Sequence, residues 1–192
     1  MTLPILLASS SVYRQALLKR LQLPFRTQSP NIDETPYPNE APKTLVTRLA
    51  RTKAFAIDSA DTYIIASDQI AILGTKLLGK PHTFERARAQ LRACSGQSVT
   101  FYTALALRYN QQIHTIIEPY QVDFKPLNDT LIEQYLKKEQ PLDCAGSFKV
   151  EGLGILLFQA LHGRDPNSLI GLPLIALNEL FQMYDICLLT QT

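Results

Sequence analysis

The chain has 192 residues, of which 46% are hydrophobic and 19% are charged, with a net charge of +2 and a pI near 8.4. This composition is typical of a folded globular protein and excludes wholesale disorder, and so mild a charge does not indicate a nucleic-acid binder. No apolar run approaches the roughly 18 residues of a membrane helix and no signal peptide is evident, so we expect a cytoplasmic protein without a membrane partner.

The three cysteines, Cys94, Cys144 and Cys187, lie far apart in the sequence. They form no C-x-x-C pair and no Cys/His cluster, so the sequence does not predict a zinc site. Free thiols suit a reducing compartment, which agrees with the cytoplasmic location.

The first elements alternate between strand and helix. The apolar run 3–8 predicts a buried strand, residues 9–11 can cap a helix over 13–21, and 25–29 predicts a second strand. A proline-rich loop over 31–42 precedes the most amphipathic helix, 43–57.

Asp68 follows the β-branched and aromatic run 63–66, which predicts a buried strand ending at Ser67-Asp68-Gln69. Open α/β sheets bind ligands at the carboxyl ends of their strands. A charge buried there needs a cation, a metal or hydrogen bonds. Asp68 therefore either caps the next turn or takes part in chemistry.

The remaining elements predict a mixed sheet. Two long strands joined by a turn at Asn110 must be antiparallel. The elements are a strand–turn–strand over 70–73 and 76–78, a helix over 83–94, strands 98–109 and 112–124, a helix over 129–138, a glycine-rich stretch 145–154, an apolar run 155–158, and a helix over 173–183. The economical interpretation is a single domain over residues 1–192, with room for two lobes.

Two groups of residues suggest phosphate chemistry. Ser9 and Ser11 precede a helix whose first N–H groups suit an anion, and Arg14 lies one turn further on. The alternative is an ordinary serine cap beside a surface arginine. The second group combines the carboxylates Glu34 and Asp68 with the basic side chains Arg14, Lys53 and Lys80, a set that suits a metal–polyphosphate site. Alternatively, Glu34 is a solvated loop acid and Lys53 reaches solvent along its helix.

Eight short motifs in order resemble the Maf family of nucleoside triphosphate pyrophosphatases, over nearly the whole chain. The motifs are Leu7-Ala8-Ser9-Ser10-Ser11-Val12-Tyr13-Arg14, Asp33-Glu34-Thr35, Lys53-Ala54, Ser67-Asp68-Gln69, Gly79-Lys80-Pro81, Ser95-Gly96, Ala145-Gly146-Ser147-Phe148 and Gly171-Leu172-Pro173. The resemblance implies a mixed, twisted α/β sheet in two lobes around a central cleft, similar to inosine triphosphatase. It also implies a divalent metal cofactor, Mg²⁺ or Mn²⁺, and a homodimer as one assembly.

The same resemblance implies cleavage between the α- and β-phosphates of a nucleoside triphosphate. Asp68 matches the family's catalytic acid, as general base or as metal ligand. Its phosphate and metal residues match Ser9, Ser11, Arg14, Glu34, Lys53 and Lys80. The chain departs from the family at Val12, where a proline is usual. Since proline pre-sets the first helical turn, its loss is expected to loosen the loop slightly without removing a chemical group.

Tyr13, Gln69 and Glu151 resemble the branch of the family that hydrolyses 7-methyl-GTP. Methylation makes the base cationic, so Tyr13 can stack on it with a cation–π contribution of about 0.5–2 kcal/mol. Glu151 can accept hydrogen bonds from the guanine N1–H and amino groups. Two alternatives stay open: a dTTP/UTP or broad-specificity pyrophosphatase, and a nucleotide-binding regulator of cell division. We expect no stable nucleic-acid partner.

Overall fold

A computed structural model describes residues 3–191, and within that range it contains seven β-strands and six α-helices. The strands are β1 (Ile5–Leu7), β2 (Phe25–Thr27), β3 (Tyr63–Leu73), β4 (Lys76–Leu78), β5 (Ser98–Tyr109), β6 (Gln112–Phe124) and β7 (Phe158–His162). The α-helices are α1 (Val12–Lys19), α2 (Pro42–Phe55), α3 (Phe84–Cys94), α4 (Asp129–Glu139), α5 (Asn167–Ile170) and α6 (Leu174–Gln182). Short 3₁₀ turns cover Ala145–Ser147, Leu153–Leu157 and Leu188–Thr190.

The described strands form one mixed sheet in the order β2-β1-β3-β5-β6-β7, with β4 paired to β3. β1 runs parallel to β2 and β3, and its Leu7 is in register with Thr27 and Ile65. β4 and β7 run antiparallel to β3 and β6. β5 and β6 are hydrogen-bonded neighbours joined through Asn110, whose φ of 51° suits a tight hairpin. The mixed α/β sheet predicted from the sequence is confirmed.

The chain divides into two compact units. The first comprises residues 3–68, 103–118 and 165–191, and the second comprises 69–102 and 119–164. Three long strands, β3, β5 and β6, contribute residues to each unit. The single domain over 1–192 and the central cleft stay predictions.

The core of the first unit packs α1 and α6 against the sheet. Leu17 and Leu18 of α1 share a buried cluster with Leu177, Leu180 and Phe181 of α6. The cluster is completed by strand residues, which include Ile5, Leu7, Ile65, Leu105 and Leu107. This packing fixes the N-terminal end of α1 beside the carboxyl end of β1.

The core of the second unit is aromatic. Phe124, Phe148 and Phe158 form three edge-to-face pairs with ring centroids 4.8 to 5.6 Å apart, and Phe101 contacts Phe148 at 5.4 Å. Such pairs contribute about 0.5–1.5 kcal/mol each beyond the area they bury. This core holds the segment 145–158 against strands β5 and β6.

The largest departure from the predicted elements is in β3. The sequence predicts two strands separated at Ser67-Asp68-Gln69, whereas the structure has one strand through Leu73. The prediction that Asp68 ends a strand is therefore wrong. Polar side chains at these positions gave the appearance of a turn, but Ser67 and Asp68 are buried with hydrogen-bond partners inside the strand.

Two further elements, β7 and α5, lie where the sequence shows only an apolar run and turn-forming residues. The predicted helices 83–94, 129–138 and 173–183 are confirmed within one or two residues at their ends. None of the helices within residues 3–191 is both long and apolar enough to cross a membrane.

Candidate active site

The loop between β1 and α1 is closed by its own serines. The Ser9 hydroxyl is buried and accepts a hydrogen bond from the Ser11 N–H at 3.1 Å. The Ser11 hydroxyl accepts from the Arg14 N–H at 3.4 Å, as expected of an N-cap. Because these bonds use the oxygens as acceptors, each hydroxyl keeps its O–H to donate to an anion. The cap interpretation is confirmed, and it is compatible with the phosphate interpretation.

Helix α1 begins at Val12, where the family usually has proline. The Val12 side chain is 67% exposed. The helix thus begins with the Ser11 cap in place and without proline, and the expected loosening of the loop stays a prediction.

Lys53 lies on α2 between two carboxylates. Its Nζ is 2.6 Å from Asp68 Oδ1 and 2.8 Å from Glu34 Oε1. Lys53 and Asp68 are both buried, whereas the Glu34 side chain is 59% exposed. The snorkelling alternative for Lys53 does not apply, because its ammonium group ends at a buried carboxylate rather than in solvent.

Burial raises the pKa of the Asp68 carboxyl above its ordinary value. Lys53 and Arg14 act in the opposite direction, and the nearby charge of Glu34 adds to the increase. Burial also lowers the pKa of the Arg14 guanidinium, against the attraction of Asp68 and Glu34. Arg14, Glu34, Lys53 and Asp68 therefore form one electrostatically coupled group.

Arg14 is held by the backbone of the segment between α5 and α6. Its Nε donates to the Gly171 carbonyl at 3.0 Å. The Ser67 hydroxyl donates to the same oxygen at 2.6 Å. Ser67 and Gly171 were not among the predicted site residues, although both stand inside the motifs that carry the family resemblance.

Glu34 and Asp68 present hard carboxylate oxygens, which are the ligands that Mg²⁺ and Mn²⁺ prefer. Within residues 3–191, no group of three or more His, Cys, Asp or Glu side chains could hold a metal ion by itself. Magnesium is commonly bound by one or two carboxylates together with substrate phosphates. The donor set of Glu34 and Asp68 fits that kind of site.

Apart from Tyr13, nine site residues are predicted, and six of these nine belong to the first unit. These six are Ser9, Ser11, Arg14, Glu34, Lys53 and Asp68. The remaining three, Gln69, Lys80 and Glu151, belong to the second unit, in which Gln69 is half-buried and the other two are exposed. Tyr13 is half-buried in α1 of the first unit. That all ten contact one substrate stays a prediction.

A shallow groove of about 750 Å³ lies elsewhere in the first unit, along α2. Its lining includes Lys43, Thr47 and Arg51 but none of the predicted site residues. The groove is thus separate from the group around Asp68.

The chain is similar to known proteins along most of its length. The family model described as Maf-like protein matches residues 4–184. A protein of Nitrosococcus oceani named 7-methyl-GTP pyrophosphatase is 54% identical over 93% of this chain and 92% of its own length. Two proteins of the same name, from Pseudomonas fluorescens strains Pf-5 and Pf0-1, are each 56% identical over 91% of this chain and 93% of their own.

Among solved structures, a HAM1 protein from Coxiella burnetii is similar with a TM-score of 0.44 and 20% sequence identity. The similarity covers 64% of this chain and 73% of that protein. So distant a likeness carries no conclusion about the site.

Proposed function

The chain belongs to the Maf-like protein family, and from this premise we propose that it hydrolyses 7-methyl-GTP to 7-methyl-GMP and pyrophosphate. The observation that carries the proposal is the near full-length identity of 54–56% to three proteins named 7-methyl-GTP pyrophosphatase. Such an enzyme removes a modified nucleotide before it enters nucleic acid.

Asp68 is the proposed catalytic residue. Its Oδ1 accepts from Lys53, and Oδ2 makes no hydrogen bond to the residues described, so it can accept a proton from water. A raised pKa also makes the carboxylate a better base near neutral pH. Asp68 then either activates the water that attacks the α-phosphorus or holds the metal beside it.

The basic residues would neutralise the charge that builds on the phosphates. Arg14 and Lys53 lie beside Asp68, and Lys80 is an exposed basic residue of the second unit. Preorganised cations of this kind often contribute the largest share of catalysis. A divalent cation held by Glu34 and Asp68 would supply further neutralisation when bound.

Base recognition is assigned to Tyr13, Gln69 and Glu151. The half-buried Tyr13 offers a ring face to the cationic 7-methylguanine, and exposed Glu151 offers two acceptors to its N1–H and amino group. Uracil and thymine lack that pair of donors, so Glu151 would disfavour them.

The cytoplasm is the proposed location, and a homodimer the proposed assembly. The location is supported by free thiols at Cys94, Cys144 and Cys187, which suit a reducing compartment. The dimer is proposed from the family alone.

The test is pyrophosphate release with Mg²⁺ from 7-methyl-GTP, GTP, dTTP and UTP. We expect 7-methyl-GTP to be the best substrate and Asp68→Asn to lower kcat about 10²–10⁴-fold. Asp58→Asn, which changes an exposed carboxylate, is the matched control and should retain wild-type turnover.

Three results would contradict the proposal. A preference for dTTP or UTP would identify the other branch of the family. Tight binding of 7-methyl-GTP without cleavage would favour a nucleotide-binding regulator. Turnover by Asp68→Asn at the wild-type rate would remove Asp68 from the mechanism.

A further inference from the structure

We propose that the Gly171 carbonyl, held by Ser67, positions the Arg14 guanidinium so that its two terminal nitrogens face the phosphates of the substrate. The identity of that anion rests on the proposed function. The positioning itself rests on contacts within the first unit. Ser67 and Gly171 would therefore act through Arg14, without contacting the reacting atoms.

One carbonyl oxygen receives two donors. Arg14 Nε lies 3.0 Å from the Gly171 oxygen, and Ser67 Oγ lies 2.6 Å from it. A carbonyl oxygen has two lone pairs, so both hydrogen bonds form together. The Ser67 hydroxyl comes from the interior of β3, where its side chain is completely buried. The acceptor of Arg14 is thereby tied to the strand that carries Asp68.

The contact through Nε leaves the functional end of the guanidinium unused. Within residues 3–191, Arg14 makes no other side-chain hydrogen bond. The terminal nitrogens Nη1 and Nη2 keep their N–H groups, which form the planar fork that binds phosphate in a bidentate fashion. Fixing Nε in advance reduces the conformational entropy that anion binding would otherwise cost.

Glycine is required at the acceptor position. Gly171 has a φ of +110°, which residues with a side chain rarely adopt. A Cβ atom built there would lie 3.1 Å from Arg14 Nε and 3.5 Å from Nη2. A side chain at position 171 would strain the backbone and push Arg14 Nε away by a few tenths of an ångström.

The segment that carries this carbonyl is itself rigidly held. The Gly171 N–H donates to the carbonyls of Asn167 and Ser168, which closes α5. Asp165, only 1% exposed, accepts from the N–H groups of Asn167 at 2.9 Å and Ile175 at 2.8 Å. These bonds join α5 to the start of α6, so the Gly171 carbonyl has little freedom to turn.

The attraction between Arg14 and the two carboxylates explains why a tether is needed. Asp68 and Glu34 both attract the guanidinium. Without the bond to Gly171, the side chain could turn toward those carboxylates and lose the orientation that faces the phosphates. The tether keeps Arg14 near Asp68 without consuming its terminal nitrogens.

The test measures the binding of inorganic tripolyphosphate by calorimetry in EDTA, so that neither hydrolysis nor a metal is required. Four proteins are compared: wild type, Ser67→Ala, Arg14→Ala and the double variant. We expect Ser67→Ala to weaken tripolyphosphate binding about tenfold in the wild-type background, because the variant loses one hydrogen bond that positions Arg14. In the Arg14→Ala background the same change should weaken binding less than about twofold, because Ser67 acts through Arg14.

Thr103→Val is the matched control. The buried Thr103 hydroxyl donates to the Ser168 carbonyl at 2.8 Å, in the same segment but not to the oxygen that Arg14 uses. We expect this variant to bind tripolyphosphate within about twofold of wild type, even if its Tm falls as much as that of Ser67→Ala. With 7-methyl-GTP, Ser67→Ala should lower kcat/KM in the wild-type background but change it less than about twofold in the Arg14→Ala background, because Ser67 acts through Arg14.

Equal weakening by Ser67→Ala in both backgrounds, or the same weakening by Thr103→Val, would overturn the inference. So would a wild-type protein that does not bind tripolyphosphate. If the coupled loss of binding is observed but no triphosphate is cleaved, the positioning stands and the proposed function fails.

Discussion

At the scale of single residues, the ion pair of Lys53 and Asp68 is buried within the candidate active site. Asp68 is buried, whereas the Glu34 side chain is 59% exposed and its attraction to Lys53 is weakened by solvent. Removing one partner of a buried pair leaves an uncompensated charge, which is more costly than losing the attraction alone. Lys53 therefore stabilises the fold chiefly by compensating the buried charge of Asp68.

Lys53→Met tests this role. The substitution removes the cation that lowers the pKa of Asp68, so burial should raise that pKa further. A raised folded-state pKa leaves stability intact below the ordinary value of 3.8 and lowers it as pH rises through the folded-state value. We expect a loss of about 3–5 kcal/mol at pH 8, shrinking toward pH 4, in urea denaturation followed by circular dichroism.

Asp68→Asn provides the control for that pH dependence. When Lys53→Met is introduced into the Asp68→Asn protein, the change in unfolding free energy should no longer vary between pH 4 and pH 8. An equal loss at both pH values in the protein with native Asp68 would contradict the coupling.

At the scale of elements, β3 shows where local sequence patterns fail. Helical periodicity and capping residues predicted every described α-helix except the four-residue α5, because those signals depend on neighbouring residues. The interruption at Ser67 and Asp68 was misread, since their partners Gly171 and Lys53 lie 104 and 15 residues away in sequence. In a sequence, a polar residue buried inside a strand looks the same as a turn residue until its hydrogen-bond partner is known.

The edge strand β7 is joined to its neighbours by a cluster of polar side chains around Asp123. Asp123 accepts from Ser98 at 2.6 Å and Gln121 at 2.8 Å, and it bonds His162 of β7 at 2.7 Å. These hydrogen bonds, with that of Ser98 the strongest, lower the pKa of Asp123 to about 2. The cluster joins three strands of the second unit through one carboxylate.

Asp123→Asn should therefore lower stability in a pH-dependent manner. A depressed pKa contributes stability above the ordinary value of 3.8 and loses it as pH falls toward about 2. We expect the urea midpoint of the variant to lie below that of wild type at pH 5 and the difference to narrow at pH 3. Asp58→Asn, at an exposed site, is the control and should show no such narrowing. A difference that widens toward pH 3 would contradict the role of the ionised carboxylate.

At the scale of the whole molecule, the sequence predicted the family and the mixed sheet, but not how the site is held. The eight family motifs identify Asp68 and Arg14 as site residues, because the order of such motifs can be read directly from a single sequence. Arg14 contacts the carbonyl of Gly171, which lies 157 residues away in the sequence. No pattern of side chains in the sequence reveals such a backbone acceptor. Long-range backbone acceptors are therefore the part of this site that required the structure.

The three cysteine thiols differ in burial and are therefore expected to differ in reactivity. Burial raises the pKa of Cys94 and of Cys144 to about 12, so neither forms much thiolate at pH 8. Cys187, near the end of the first unit, is exposed. We expect an aromatic disulfide reagent at pH 8 to modify about one thiol of the native protein rapidly, and all three after unfolding in guanidinium. Cys187→Ser should abolish the rapid phase, whereas rapid modification of a second thiol would contradict the raised thiol pKa values of Cys94 and Cys144.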